Sequence, residues 1–245
     1  MTQAIIKISG DASVSVVFPG QISLENNLKV RTLQFILSRE MIPGIVEVVP
    51  AYCSLMIHYD PCLISYQEVE HRLQGLLSSE TKIELPQGTV TEIPVLYGGD
   101  AGPDLEEVAS YEGITPEEVI RRHSEKQAFI YMIAFAPGLP YIGSIEKTFS
   151  VPRRTSPRVR LPAGSVTIWE SQTTIFPVDQ PGGWNVIGKT PLKLVDWTKE
   201  EQPFLLRSGD WIQFRPIDQK EYQIIETQVK EGTYIPRVMR KVCTE

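Results

Sequence analysis

Four arginines set among prolines are the residues best placed to do chemistry. Arg153, Arg154, Arg158 and Arg160 lie between Pro152, Pro157 and Pro162. Proline restricts the backbone of such a loop, so the guanidiniums can be presented at little further ordering cost. Arginine's planar donor fork matches a carboxylate or a phosphate. A plainer reading stands beside this one, in which the arginines pair with the chain's excess acids on a solvated loop. Gln172, Thr173 and Thr174 follow closely and add neutral hydrogen-bonding groups. Trp169 and Trp184 suit either a pocket wall or simple core. Of the three histidines, His58 falls in a strand and His71 on a helix, which leaves His123, beside Arg121 and Arg122, as the functional candidate.

Gly183-Trp184-Asn185-Val186-Ile187-Gly188-Lys189-Thr190 fits the phosphate-loop pattern G-x-x-x-x-G-K-[ST] letter for letter. That pattern works when small residues wrap phosphates and a helix starts at the Lys-Thr pair. Here the interior is bulky and strand-forming, and Pro191 is followed by Leu192-Lys193-Leu194-Val195, which reads as a further strand. The match is therefore a decoy, although Lys189 is kept as a ligand-facing candidate. No group of His, Cys, Asp or Glu has metal-ligand spacing, so no metal site is expected. There is no G-x-S-x-G elbow, and the serines reveal no triad. Taken alone, these residues describe a β-rich binding pocket with a basic loop. They name no reaction, and catalytic residues stay unassigned.

Two units are expected to position them, an N-terminal α+β domain over 1–86 and a mainly β domain over 87–245, divided at the Pro86-Gln87-Gly88 turn. In the first, Ile5–Ile8 and Val14–Phe18 read as strands around Gly10. Ser23 caps a helix to about Glu40 with Leu24, Leu28 and Phe35 on one face. Ile45–Val49 and Ser54–Tyr59 form a hairpin, Ser65 and Glu68 a capping box, and Val69, Leu73, Leu76 and Leu77 an apolar stripe. Thr81–Leu85 closes the sheet. In the second unit, Val90–Tyr97 opens a strand, and Asp104 with Glu107 and Thr115 with Pro116 start two short helices. Strands are expected over 128–135, 165–169, 173–176, 184–187, 192–195, 211–214 and 221–225. Turns and short strands of this kind describe a small barrel or sandwich with loops gathered at a rim.

The 245 residues are 42% hydrophobic, enough for real cores, and the net charge of −6 argues against nucleic-acid or anionic-membrane partners. The first residues lack a basic stretch leading into an apolar run, and no segment is long and apolar enough to span a membrane, so a cytoplasmic setting is expected. Cys53, Cys62 and Cys243 are odd in number; free buried thiols are expected, with a Cys53–Cys62 pair across a hairpin as the alternative.

The middle of the chain also resembles a known family. Its carriers are Tyr97-Gly98-Gly99, Gly102-Pro103-Asp104-Leu105, Phe135-Ala136-Pro137-Gly138, Pro140-Tyr141-Ile142-Gly143 and Val151-Pro152-Arg153-Arg154. Pro157-Arg158, Leu161-Pro162-Ala163-Gly164-Ser165, Gln172-Thr173, Pro181-Gly182-Gly183-Trp184, Ile187-Gly188-Lys189-Thr190-Pro191 and Phe214-Arg215-Pro216 continue the match. The chain is similar to the B subunit of the bacterial ATP-dependent 5-oxoprolinase, also called the KipI or allophanate hydrolase subunit 1 family. The resemblance implies an α+β fold in which a small N-terminal domain precedes a cyclophilin-like β-barrel. It implies partners, the A and C subunits of 5-oxoprolinase, the second of them barrel-like, and together the three open the lactam of 5-oxoproline to glutamate. ATP with magnesium is then used by the complex, with none assigned to this chain. Arg153, Arg154, Arg158 and Lys189 become candidates for holding phosphate or the substrate carboxylate, with Gln172 and Thr173 orienting substrate and Trp184 and His123 beside them. Trp169-Glu170-Ser171 departs from the family's small residues, Thr174 from a usual glycine and Lys189 from a common arginine. Two other readings stay open: an inhibitor that binds a sporulation histidine kinase, and a component of an allophanate- or urea-type amide hydrolase. Prolyl isomerisation is set aside, because a shared fold does not carry an activity.

Overall fold

Alternating apolar residues in short runs, broken by glycine and proline, produce strands throughout the computed structural model of this chain. It describes residues 4–78, 85, 88–143 and 149–241. The chain divides into two compact units, 1–86 and 87–245.

In the first unit, strands β1 (Ile5–Ile8), β2 (Ser13–Val17), β3 (Ile45–Pro50) and β4 (Ser54–Tyr59) pair antiparallel in the order β1-β2-β4-β3. Helices α1 (Leu24–Glu40) and α2 (Tyr66–Ser78) share a core with Val14, Val16, Leu55 and Ile57. Both starts are capped by the expected serines. Ser23 Oγ accepts from the Asn26 amide, and Ser65 and Glu68 form the reciprocal box, at 2.9 Å and 3.3 Å. The buried face of α1 corrects the sequence expectation: Val30, Leu33 and Leu37 point inward, whereas Leu28 is exposed and Phe35 lies under Arg39. The helix is turned so that fully buried Asn27 can donate to the carbonyls of Ala51 and Tyr52, at 3.1 Å each. Polar satisfaction outweighs the larger side chains there. The expected closing strand at 81–85 falls almost wholly outside the described residues. Cys53 is half-buried and Cys62 exposed, both free, so they are not the buried thiols expected; Cys243 is not among the described residues.

The second unit is a closed barrel. Its elements are β5 (Thr89–Tyr97), α3 (Leu105–Glu112), α4 (Pro116–Glu125), β6 (Ala128–Ile133), β7 (Pro140–Gly143), β8 (Arg158–Leu161) and β9 (Ser165–Trp169). There follow β10 (Gln172–Ile175), β11 (Gln180–Gly182), β12 (Asn185–Lys189), β13 (Trp211–Pro216), α5 (Gln219–Glu231) and β14 (Val238–Arg240). Seven strands run in the order β12-β9-β10-β7-β6-β13-β5 and close through β12 on β5, where Gly188 faces Tyr97 and Lys189 faces Leu96. β14 adds to β5 outside the ring, and β8 with β11 forms a separate ribbon. Inward residues such as Val95, Ile130, Ile142, Ile168, Ile187 and Phe214 fill the interior, as a small barrel requires. Helix α4 adds Val119 and His123 to this buried interior.

Two expected strands are corrected. Residues 221–225 lie in α5, because Asp218 caps its start by accepting from the Glu221 amide, and Tyr222, Ile225 and Val229 then share one face. Residues 192–195 form no strand beyond a single bridge from Val195 to Phe204. Among the described residues, no helix is long and apolar enough to cross a membrane.

Candidate functional site

Three of the four loop arginines are neutralised by acids. Asp104, buried at the start of α3, accepts from Arg158 at 2.7 and 2.6 Å, from Arg154 at 2.9 Å and from the Val186 amide at 2.7 Å. Arg154 also reaches Glu107 at 2.8 Å, and Arg160 pairs with Asp179. Asp104 thus occupies the expected N-cap position without capping; its carboxylate oxygens are taken by the arginines and β12. Glu107 likewise serves Arg154. The plainer reading of the arginine loop holds for Arg154, Arg158 and Arg160.

Arg153 is different. The loop is fixed on either side of it, by Asn185 Nδ2 donating to the Pro152 carbonyl at 2.9 Å and by the Arg154 amide donating to Gly183 at 2.8 Å. Its guanidinium sits 4.0 Å over the Trp169 ring and 5.8 Å from that of Trp184, with no carboxylate partner among the described residues. Arg153 is exposed, and a guanidinium stacked on aromatic faces keeps its in-plane donors available. It borders a cleft of about 190 Å³ with Tyr141, Thr174, Phe176, Trp184 and Phe135, room for about six waters at ~30 Å³ each. Burial raises the Tyr141 phenol above its usual value, an effect opposed by nearby Arg153. Thr174 is already used, donating to the Pro140 carbonyl at 2.6 Å.

His123, Gln172 and Thr173 lie elsewhere, around a much smaller cavity of about 30 Å³. Thr173 Oγ1 donates to the Thr167 carbonyl at 2.9 Å, so toward His123 Nε2, 3.0 Å away, it accepts. That places the imidazole proton on Nε2 and leaves Nδ1 to accept from the Tyr97 hydroxyl at 2.7 Å. The ring stacks on Phe214 at 4.1 Å. Burial pushes the His123 pKa down to about 3 and the Tyr97 phenol well above its ordinary value. The result is a neutral histidine with both nitrogens engaged, tying α4 to β5 and β10 inside the barrel. To serve a substrate it would have to give up one of these bonds.

Lys189 ends β12 near Asp179 and does not border the Arg153 cleft. The phosphate-loop pattern runs as strand, not as a loop entering a helix. Its second glycine, Gly188, has a packing reason: a Cβ there would stand 2.7 Å from Val95 Cγ1 and 2.8 Å from the Leu96 carbonyl oxygen. Close approach of β5 and β12 at the barrel seam therefore requires glycine. Among the described residues, no group of three His, Cys, Asp or Glu is placed to hold a metal ion.

Of the eight candidates, the structure brings only Arg153 and Trp184 together at the cleft. Sequence reasoning missed three contributors: Asp104, concealed by its resemblance to a helix cap, and Tyr141 and Phe135, which sit in quoted motifs without having been given a role.

Similarity to known proteins places this chain in a known class. The carboxyltransferase domain, subdomain C and D, matches residues 4–206, and the chain belongs to that family. Within it, the chain belongs with the B subunits of 5-oxoprolinase: the Bacillus subtilis protein of that name is 39% identical over 227 residues, covering 87% of this chain and 92% of that one. The crystal structure of TTHA0988 superposes with a TM-score of 0.74 at 34% identity, over 87% of this chain but only 40% of that longer one. The Kluyveromyces lactis urea amidolyase superposes with a TM-score of 0.84 over 97% of this chain and 16% of that one; at 17% identity this shows shared fold alone.

Proposed function

We propose that this chain is the B subunit of an ATP-dependent 5-oxoprolinase, acting with the A and C subunits of that enzyme, and that its cleft holds the substrate carboxylate on Arg153. In the net reaction the lactam and one water give glutamate, while ATP and a second water give ADP and phosphate. An unstrained lactam is stable, so coupling to ATP supplies the driving force. Family membership supports the assignment to such an enzyme, and one observation supports the site: Arg153 is the loop arginine left without a carboxylate partner among the described residues, and it faces a cleft the size of a small metabolite. Its part is anchoring, since the carboxylate of 5-oxoproline is not the group that reacts. Lost anchoring of that kind appears mainly in KM.

Co-expression of the three subunits, followed by measurement of ADP and glutamate with and without 5-oxoproline, tests the assignment. Turnover that disappears when this chain is omitted supports it; a complex that forms and shows no turnover defeats it. The site is tested with 2-pyrrolidinone, which keeps the lactam ring and lacks the carboxylate. Arg153→Ala is expected to remove the preference for 5-oxoproline over 2-pyrrolidinone. A preference that persists unchanged places the anchor elsewhere.

A further inference from the structure

The Ala136 amide donates to the Ala134 carbonyl at 2.8 Å, spanning a single residue, Phe135, whose φ is 68°. A three-residue turn with positive φ at its centre is rare, because an L side chain crowds the backbone there. The surroundings enforce it. Leu139 donates to Ala136 at 3.0 Å and Ala134 donates to Leu139 at 3.1 Å, closing the loop on both sides. Gly138 lies so near the 192–205 segment that a Cβ on it would stand 2.3 Å from Val195 Cγ2. The residue in the strained position is a phenylalanine, and its side chain remains 75% exposed at the edge of the Arg153 cleft. Phe135 therefore carries backbone strain and an exposed aromatic ring together, a combination found where a turn is built to meet a ligand.

The chemistry of the opposite wall narrows what that ligand is. Tyr141 and Trp184 meet edge to face at 6.2 Å, and Arg153 is the single formal charge bordering the cleft among the described residues. A second anionic group on the ligand would face aromatic carbon without a partner, which is costly. We infer that Phe135 is the apolar lid of this cleft, covering the flat body of a small monocarboxylate whose charge rests on Arg153. The inference rests on the reading of the cleft given above. With Arg153 as the single cation among the described residues that border it, the cleft favours a monocarboxylate over dicarboxylates and phosphate esters.

Binding is measured with labelled 5-oxoproline and 2-pyrrolidinone by equilibrium dialysis, on the chain alone and on the three-subunit complex. Tryptophan fluorescence of the isolated chain gives a second readout, since Trp169 and Trp184 border Arg153. Phe135→Gly removes the ring and relieves the positive φ, so its melting temperature is expected to hold or rise. It should weaken both ligands alike, by about tenfold, the scale of a lost aromatic contact. Arg153→Ala should weaken 5-oxoproline alone. Unchanged binding of both ligands to Phe135→Gly overturns the lid and leaves the anchor standing. If neither the wild-type chain nor the complex binds 5-oxoproline, lid and anchor fall together.

Discussion

The Asp104 carboxylate, with a side chain 3% exposed, takes two hydrogen bonds from the Arg158 guanidinium at 2.7 and 2.6 Å. Its oxygens also bind Arg154 and the backbone of β12, so this one acid joins α3, the arginine loop and the barrel wall. Removing it would leave two guanidiniums, each about a quarter exposed, short of a partner. Loss of one partner in a buried pair costs about 3–5 kcal/mol, and the partial exposure of the arginines places Asp104→Ala near the lower end. Arg158→Ala leaves Arg154 on Asp104 and should cost only about 1–2 kcal/mol. Urea denaturation measures both. Arg158→Ala should keep its preference for 5-oxoproline over 2-pyrrolidinone; losing that preference at unchanged stability would make Arg158 an anchor.

His123 makes stability depend on pH in a defined window. Its folded pKa is lowered to about 3 by burial, whereas an unfolded histidine titrates near ~6.5. Between these values the unfolded chain binds a proton that the folded chain does not, so stability falls as pH falls. The slope is about 1.4 kcal/mol per pH unit, or about 2 kcal/mol between pH 6.5 and 5. His123→Phe keeps the stacking on Phe214 and removes the titration. Unfolding free energies at several pH values should show the slope flattened in this variant; an unchanged slope would assign the pH dependence to other groups.

Local signals were legible where a few neighbouring residues decide the outcome. Ser23, Ser65 with Glu68, and Thr115 all cap helices as their spacing implies. Side was harder to read than element. Gln172-Thr173-Thr174 looks like one polar group in sequence, yet a strand sends adjacent residues to opposite faces. Thr173 therefore joins His123 inside the barrel while Thr174 borders the Arg153 cleft outside it. Tyr222-Gln223-Ile224-Ile225 has strand-like composition, and the Asp218 cap overrides it. The arginine loop was ambiguous because its composition is the same whether the acids that pair with it are near or far. Asp104 stands 54 residues from Arg158, a separation only the fold can close.

Gly188 and Lys189, two of the residues that complete the phosphate-loop pattern, should respond differently to substitution. Gly188→Ala should cost about 2 kcal/mol, since the added methyl meets the Leu96 carbonyl and Val95 across the barrel seam. Lys189→Ala, at the end of the same strand, should change stability by less than about 0.5 kcal/mol. It should also leave ADP production by the assembled enzyme intact. A folded Lys189→Ala enzyme that cannot turn over ATP would return a phosphate role to this lysine.

The Trp169-Glu170 departure separates into two effects that can be measured independently. Glu170 has a φ of 51° in the tight turn between the paired residues Trp169 and Gln172. Its amide donates to the Val151 carbonyl at 2.8 Å, a bond glycine retains. Relief of strain, set against the greater freedom of glycine in the unfolded chain, gives Glu170→Gly a net gain of about 1 kcal/mol. A higher denaturation midpoint at unchanged slope is the expected observation, and a lower one would contradict the strain. Trp169 acts on binding instead, because its ring is the platform 4.0 Å beneath Arg153. A cation–π contact of about 1 kcal/mol corresponds to a several-fold loss when Trp169→Ala frees the guanidinium. That loss should fall on 5-oxoproline and spare 2-pyrrolidinone, because only the first has a carboxylate for Arg153 to hold. Equal weakening of both would mean that Trp169 shapes the cleft rather than positioning the arginine.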